Sequence, residues 1–211
     1  MRVNRIYRSL QGESTYAGLP CTFIRLAGCD LHCRWCDTLY ARKGGRSMSM
    51  KKIVERVSAY PVDLIEITGG EPLNQTDTPE LCRQLCGLGA RVLVETNGHR
   101  NIDLLPDGVV RIMDIKCPGS GELESNDWDN LARLRPDDQV KFVIADADDY
   151  CFSLAVVREH RLLERCAVLF APAWDLCDPG DLAQWIIESG LAIRLQLPLH
   201  KVIWSPERVD V

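Results

Sequence analysis

The sequence predicts an α/β fold, a partial (open) β/α barrel of mostly parallel strands, in one domain spanning residues 1–211. Three observations predict it. Short β-rich runs alternate with helical patterns, as parallel strands joined by right-handed crossovers require. The stretch between Glu95 and Val109 is too short, and too broken by Gly98 and Pro106, for a full helix, so the barrel is incomplete. The residue types that carry chemistry all fall just after strands, where a barrel gathers its active site.

Taken in order, residues 22–26 (TFIRL) and 64–68 (LIEIT) are rich in β-branched and apolar side chains and read as strands. Between them Ser49 is placed to cap a helix in which Ile53, Val54 and Val57 share one face. Thr78-Pro79 opens a second helix with Leu81, Leu85 and Leu88 inward, and Gly89 closes it. Further strands are expected at 91–95, 109–115, 140–145, 167–170 and 193–197, and helices near 125–134, 148–163 and 178–189. Gly69-Gly70-Glu71-Pro72, Thr96-Asn97-Gly98, Lys116-Cys117-Pro118, Ala171-Pro172-Ala173-Trp174 and His200-Lys201 then converge on one rim, with a cysteine-rich loop after the first strand.

Composition narrows the class. The chain is 46% hydrophobic and 26% charged, ordinary for a soluble globule with a real core. Thirty acidic residues against 25 basic give a net charge of −5, which disfavours a nucleic-acid binder held by a basic face. No apolar run approaches ~18 residues, so no membrane span is expected. Met1-Arg2-Val3-Asn4-Arg5 has no apolar h-region behind it, so a cytoplasmic location is expected. Ten cysteines in a reducing compartment are not a disulfide framework; some should be ligands or catalytic groups and the rest buried filler. Cys82 and Cys86, four apart on a helix with no third partner in register, read as filler.

Cys29, Cys33 and Cys36 are crowded into one loop. Zinc wants a fourth ligand, yet His32 is too constrained within the loop and no second Cys-x-x-Cys follows. A cubane iron–sulfur cluster usually takes four cysteines; three leave one iron open to a small molecule. Ligand counting therefore favours an open cluster, with zinc and an incidental group of thiols as the alternatives.

The run Gly28-Cys29-Asp30-Leu31-His32-Cys33-Arg34-Trp35-Cys36-Asp37-Thr38 resembles the signature of the radical S-adenosylmethionine superfamily. Thr68-Gly69-Gly70-Glu71-Pro72 is similar to that superfamily's methionine-amine segment. With Ser9-Leu10-Gln11-Gly12-Glu13 before the loop, and Asp114-Ile115-Lys116-Cys117-Pro118-Gly119-Ser120-Gly121 and His200-Lys201-Val202-Ile203-Trp204 after it, the chain resembles the 7-carboxy-7-deazaguanine synthase family from Arg5 to Trp204. That family serves queuosine and 7-deazapurine biosynthesis.

The resemblance implies a barrel of the radical S-adenosylmethionine type, a [4Fe-4S] cluster on Cys29, Cys33 and Cys36, S-adenosylmethionine, and Mg²⁺ with Thr38 as its protein ligand. It implies ring contraction of 6-carboxy-5,6,7,8-tetrahydropterin to 7-carboxy-7-deazaguanine with loss of ammonia, begun by a 5′-deoxyadenosyl radical. A flavodoxin or ferredoxin as electron donor and a homodimer are implied as well. For the cofactor, Gly70 allows close backbone approach. Glu71 is suited to accept a charge-assisted bond from the methionine ammonium, although Gly-Gly-Glu-Pro also reads as a plain turn. Trp35 supports the adenine or packs beneath the cluster. Cys36, Asp37, Asn97, Lys116, Cys117, Pro118, Ala171, Pro172, Ala173 and Trp174 are implied as further contacts.

For the substrate, Gln11 with the backbone of Leu10 and Gly12 suits the pterin edge, and Glu13 suits its N–H groups. Arg25 offers a bidentate fork to the carboxylate. Thr68 and His200 complete the set. In the family a terminal carboxylate can line the pocket, but this chain continues past Trp204 to Val211, so the placement of Val211 is open. Two rival readings are an activase that installs a glycyl radical on a protein partner, and a non-catalytic iron–sulfur or zinc module.

Overall fold

In the computed structural model, which describes residues 1–61 and 63–209, a nine-stranded sheet curls into an open barrel. β1 (Arg2–Leu10) and β2 (Pro20–Leu26) pair antiparallel, and β3 (Arg46–Ser47) pairs antiparallel with β1. From β2 on the pairing is parallel, through β4 (Leu64–Gly69), β5 (Arg91–Thr96), β6 (Val109–Ile115), β7 (Gln139–Ile144), β8 (Ala167–Pro172) and β9 (Arg194–Leu195). The strand order is β3-β1-β2-β4-β5-β6-β7-β8-β9, with β3 and β9 as free edges. The open barrel of mostly parallel strands is the fold the alternation implied; β1 and β3 are additions to it.

The helices are α1 (Leu39–Arg42), α2 (Met50–Val57), α3 (Thr78–Gly87), α4 (Asn130–Arg133), α5 (Ala147–Glu159), α6 (Pro179–Ser189) and α7 (Leu199–Ile203). Ser49 caps α2, its hydroxyl accepting from Lys52 N–H at 3.4 Å, and Ile53 and Val57 are buried. α6 starts at a capping Asp178 with Pro179 in its first turn and stops at Gly190. In α3 the inward face is Leu81, Cys82 and Leu85, while Leu88, expected inward, lies exposed beyond the helix end. The helix expected at 125–134 is largely absent. Asn126 instead makes two 2.9 Å bonds to the Lys116 backbone, a side-chain alternative to helical bonding, and only α4 remains. No helix of the described residues is long and apolar enough to cross a membrane.

Residues paired across parallel strands share a face, and the two faces differ. Ile24, Ile67, Val94, Val140 and Phe170 pack outward in the main core with Leu81, Leu85, Val157 and Leu182 of the helices. The concave face starts apolar, with Cys21, Phe23, Leu64, Leu93, Val110 and Ile112 in a separate cluster. Toward the strands' C-terminal ends it turns charged, Arg25 opposite Thr68, Glu95 opposite Ile112, and Asp114 opposite Lys141. That polar layer is the floor of the site.

Candidate active site

The cysteine loop leaves β2 and is braced on three sides. Gly28 N–H bonds Ala41 O at 2.8 Å, Glu71 N–H bonds Gly28 O at 2.7 Å, and Arg34 N–H bonds Ser120 O at 2.9 Å. A Cβ on Gly70 would lie 2.0 Å from Gly28 O, so glycine is required there by the loop's own backbone. The braced loop leaves Cys29, Cys33 and Cys36 as free, half-buried thiols facing one chamber. Burial pushes the Cys29 and Cys33 thiols up, so a metal centre must displace protons to bind there.

The chamber has two confluent lobes of about 220 and 270 Å³, sharing Glu13, Arg25, Asp37, Thr38, Glu95, His200 and Lys201 in their walls. The first lobe holds the three cysteines, with Trp35, Gly70, Asn97, Lys116 and the Ala171, Pro172, Ala173 and Trp174 loop around them, and Thr68 in its wall. The second takes Leu10, Gln11 and Gly12, the aromatic pair Tyr7 and Phe23, and the tail at Pro206 to Val209. Thr38 stands at the junction, its hydroxyl 3.8 Å from Cys36 Sγ.

Opposed charges line the floor and rim. Lys141 Nζ is buried between Glu13 Oε2, at 2.8 Å, and Glu95 Oε1. Gln196 donates to the same Glu13 oxygen at 3.0 Å, and the Thr68 hydroxyl to Glu95 Oε2 at 3.0 Å. Burial works against the Glu95 charge, but Lys141 outweighs it and holds the carboxyl below the ordinary range. Lys116 Nζ meets Asp114 Oδ2 at 2.6 Å. Lys201 meets Asp37 at 2.9 Å and lies 5.6 Å from the Trp174 ring centre, joining α7 to the cysteine loop and the loop after β8. Arg25 donates to the Tyr7 hydroxyl at 3.2 Å, and its buried Nε has no partner among the described residues. His200 is seated by Leu199 N–H on Gly12 O, and a Cβ on Gly12 would come within 2.7 Å of its Nδ1.

Three expected contacts do not reach the chamber. Glu71 is fully buried behind the wall, its carboxylate accepting from Leu73 N–H, the Thr96 hydroxyl and Asn97 N–H at 2.7–2.9 Å. It organises the turn that presents Asn97, and burial raises its pKa to about 7. The Cys117 side chain points the other way, packed 3.3 Å from Ser153 Oγ under α5. Pro118 is exposed at the start of a 3₁₀ turn. Val211 lies outside the described residues. Conversely, Glu66, Glu95, Asp114 and Lys141 line the chamber without having been assigned to it. The signal for Glu66 and Lys141 was a single charge inside a largely apolar parallel strand, which stays buried only when paired.

Residues 23–114 match the radical SAM superfamily. Over the whole of both chains, the sequence is 46% identical to the 7-carboxy-7-deazaguanine synthase of Koribacter versatilis. The chain belongs to the 7-carboxy-7-deazaguanine synthase family. It is also 40% identical to the synthase of Chlorobaculum tepidum, over 98% of this chain and 96% of that one. In fold it is similar to QueE from Escherichia coli, with a TM-score of 0.72, 21% identity, and 93% of this chain and 92% of that one covered.

The donor set fits the cluster that the superfamily carries. Three thiols and no fourth ring the first lobe, and among the described residues no three His, Cys, Asp or Glu side chains close on a single ion. Three thiols on one loop with no fourth beside them suit a cubane that keeps one iron open better than a closed tetrahedral site.

Proposed function

We propose that this chain is a radical S-adenosylmethionine lyase that contracts 6-carboxy-5,6,7,8-tetrahydropterin to 7-carboxy-7-deazaguanine with loss of ammonia. The observation that carries the reading is one chamber with three thiols in one lobe and Arg25, Gln11 and His200 around the other, in a chain 46% identical end to end to a synthase of that name. When bound, the cluster and S-adenosylmethionine supply the hydrogen-abstracting 5′-deoxyadenosyl radical.

The chain's own residues bind, orient and seal. Cys29, Cys33 and Cys36 hold the cluster, and Asn97, Lys116 and the loop at Ala171 to Trp174 surround the S-adenosylmethionine. Arg25 meets the substrate carboxylate with a guanidinium whose buried Nε–H has no partner among the described residues. Glu13 and Glu95, both paired with Lys141, and His200 accept hydrogen bonds from the pterin N–H groups. Thr38, at the junction of the lobes, binds Mg²⁺ weakly alone and well once substrate oxygens and waters complete an octahedron. A flavodoxin- or ferredoxin-type protein supplies the electron, and the working unit is a homodimer.

The test is anaerobic reconstitution with iron and sulfide, followed by an assay for 7-carboxy-7-deazaguanine and ammonia from the tetrahydropterin. Both products in equal amounts are expected. Deoxyadenosine without either product refutes the substrate assignment.

A further inference from the structure

The floor of the second lobe holds a carboxyl that the binding scheme above leaves unused. Glu66 sits inside β4, only 4% exposed, and lines the lobe. Its Oε2 accepts from Gln11 Nε2, so the carboxyl is held in the wall of the lobe. The walls beside it are flat and apolar, Tyr7 and Phe23 stacked with ring centres 5.1 Å apart and planes at 13°, with Ile112 nearby.

The pyrimidine half of a pterin is flat and carries a ring N–H and an exocyclic amino N–H side by side, pointing the same way. Two parallel N–H donors are the complement of a carboxylate's two oxygens, and acidic side chains accept from exocyclic amino groups of bases in the same manner. We propose that Glu66 is the specificity-determining residue of the substrate lobe, accepting paired hydrogen bonds from the ring N–H and the 2-amino group of a 2-amino-4-oxopyrimidine, with Gln11 held beside it. The assignment rests on the proposed function and deepens it, because it states which edge of the substrate is read.

The electrostatics agree. Gln11 and Glu13 act on Glu66 from the segment after β1, Tyr7 from β1, Cys21 and Arg25 from β2, and Glu95 from β5. Burial first, and then Glu95 and Glu13, push the Glu66 carboxyl up against the opposing pull of Gln11 and Arg25. That shift favours the protonated carboxyl while the lobe is empty. Two N–H donors need two acceptor oxygens, so the proton passes to buffer as the substrate seats.

The experiment uses the full chain, reconstituted anaerobically with S-adenosylmethionine bound, and titration calorimetry in two buffers of different ionisation heat. The ligands are the carboxytetrahydropterin and its 2-desamino analogue. The parent protein should bind the amino compound on the order of 10–100-fold more tightly, and release a proton only with it. Glu66→Gln, which keeps the side chain's shape, should lose both the discrimination and the proton release while binding the desamino analogue nearly as the parent does. Equal affinity of the parent for the two ligands overturns the assignment with no variant needed. A Glu66→Gln protein that still discriminates, or that loses both ligands equally, overturns it too. A parent that neither binds nor converts the tetrahydropterin refutes the underlying function instead, so the two failures are distinguishable.

Discussion

Replacing Lys141 by Met should destabilise the protein in a way that depends on pH. Lys141 Nζ lies 2.8 Å from Glu13 and bonds Glu95 as well, with its side chain 7% exposed. Removing one partner of a fully buried ion pair typically costs about 3–5 kcal/mol, because the other charge is left without compensation. Glu13 and Glu95 keep 28% and 27% of their side-chain surface facing the chamber, so water relieves part of that penalty and about 2–3 kcal/mol is expected. For a chain of this size that corresponds to a fall in Tm of about 4–12 °C. The sign with pH follows from Glu95. In the parent protein its folded pKa is lowered, so the pair's stability is present above the ordinary glutamate range and lost as pH falls through the lowered value. In Lys141→Met the desolvation remains without the opposing charge, the folded pKa rises instead, and stability is lost as pH climbs through the new value. Thermal melts of parent and variant should therefore differ most at pH 8 and least at pH 5. Adding Glu95→Gln to Lys141→Met should recover part of the loss at pH 8, a coupling that a double-mutant cycle measures. An equal Tm difference at pH 5 and pH 8 would mean that Lys141 acts by packing, and the electrostatic argument would fail.

Three further outcomes test the chamber. Cys33→Ala should fail to assemble the cluster and make no deoxyadenosine; normal reconstitution, followed by the iron–sulfur absorbance, would refute the ligand set. Arg25→Lys should keep substrate-independent deoxyadenosine formation while turnover falls by about 2–4 kcal/mol in kcat/KM; an equal loss of both would mark Arg25 as structural. Thr38→Ala should abolish the reciprocal strengthening of Mg²⁺ and substrate binding while sparing the cluster's spectrum. Undiminished stimulation by Mg²⁺ in that variant would remove Thr38 as a ligand.

The strands from 22 to 170, the cap at Ser49 and the stop at Gly89 were legible because their signals are local: a short apolar run, an oxygen side chain before a helix, a glycine after it. The cysteine loop was legible for a similar reason, three ligands within one loop. What escaped depends on neighbours distant in sequence. β1 carries Arg2, Asn4, Arg5 and Arg8 among its apolar residues, and its hairpin with β2 is visible only in the register that sets Ile6 beside Ile24. β3 is two residues long and exists through its pairing with Arg2 and Val3. Glu71 was read as a ligand contact because Gly-Gly-Glu-Pro shows which residue types are present and not which side of the turn they face; the structure turns the carboxylate toward Leu73, Thr96 and Asn97.

The charged floor was hidden for a further reason, and that reason makes it informative. Glu13 and Lys141 are 128 residues apart, and Glu95 and Lys141 are 46 apart, so nothing local announces that one ammonium serves two carboxylates. A single glutamate in β4 or lysine in β7 fits an edge strand equally well until the sheet order makes both strands central. Once they are central, every charge on the concave face must find a partner or await a ligand. Lys141, Glu13 and Glu95 satisfy one another. Arg25 Nε and Asp114 Oδ1 find no partner among the described residues, and both belong to side chains in the chamber wall. On the concave face these two unpaired atoms thus lie where cofactor and substrate are proposed to bind, and the paired charges hold the frame in which they are displayed.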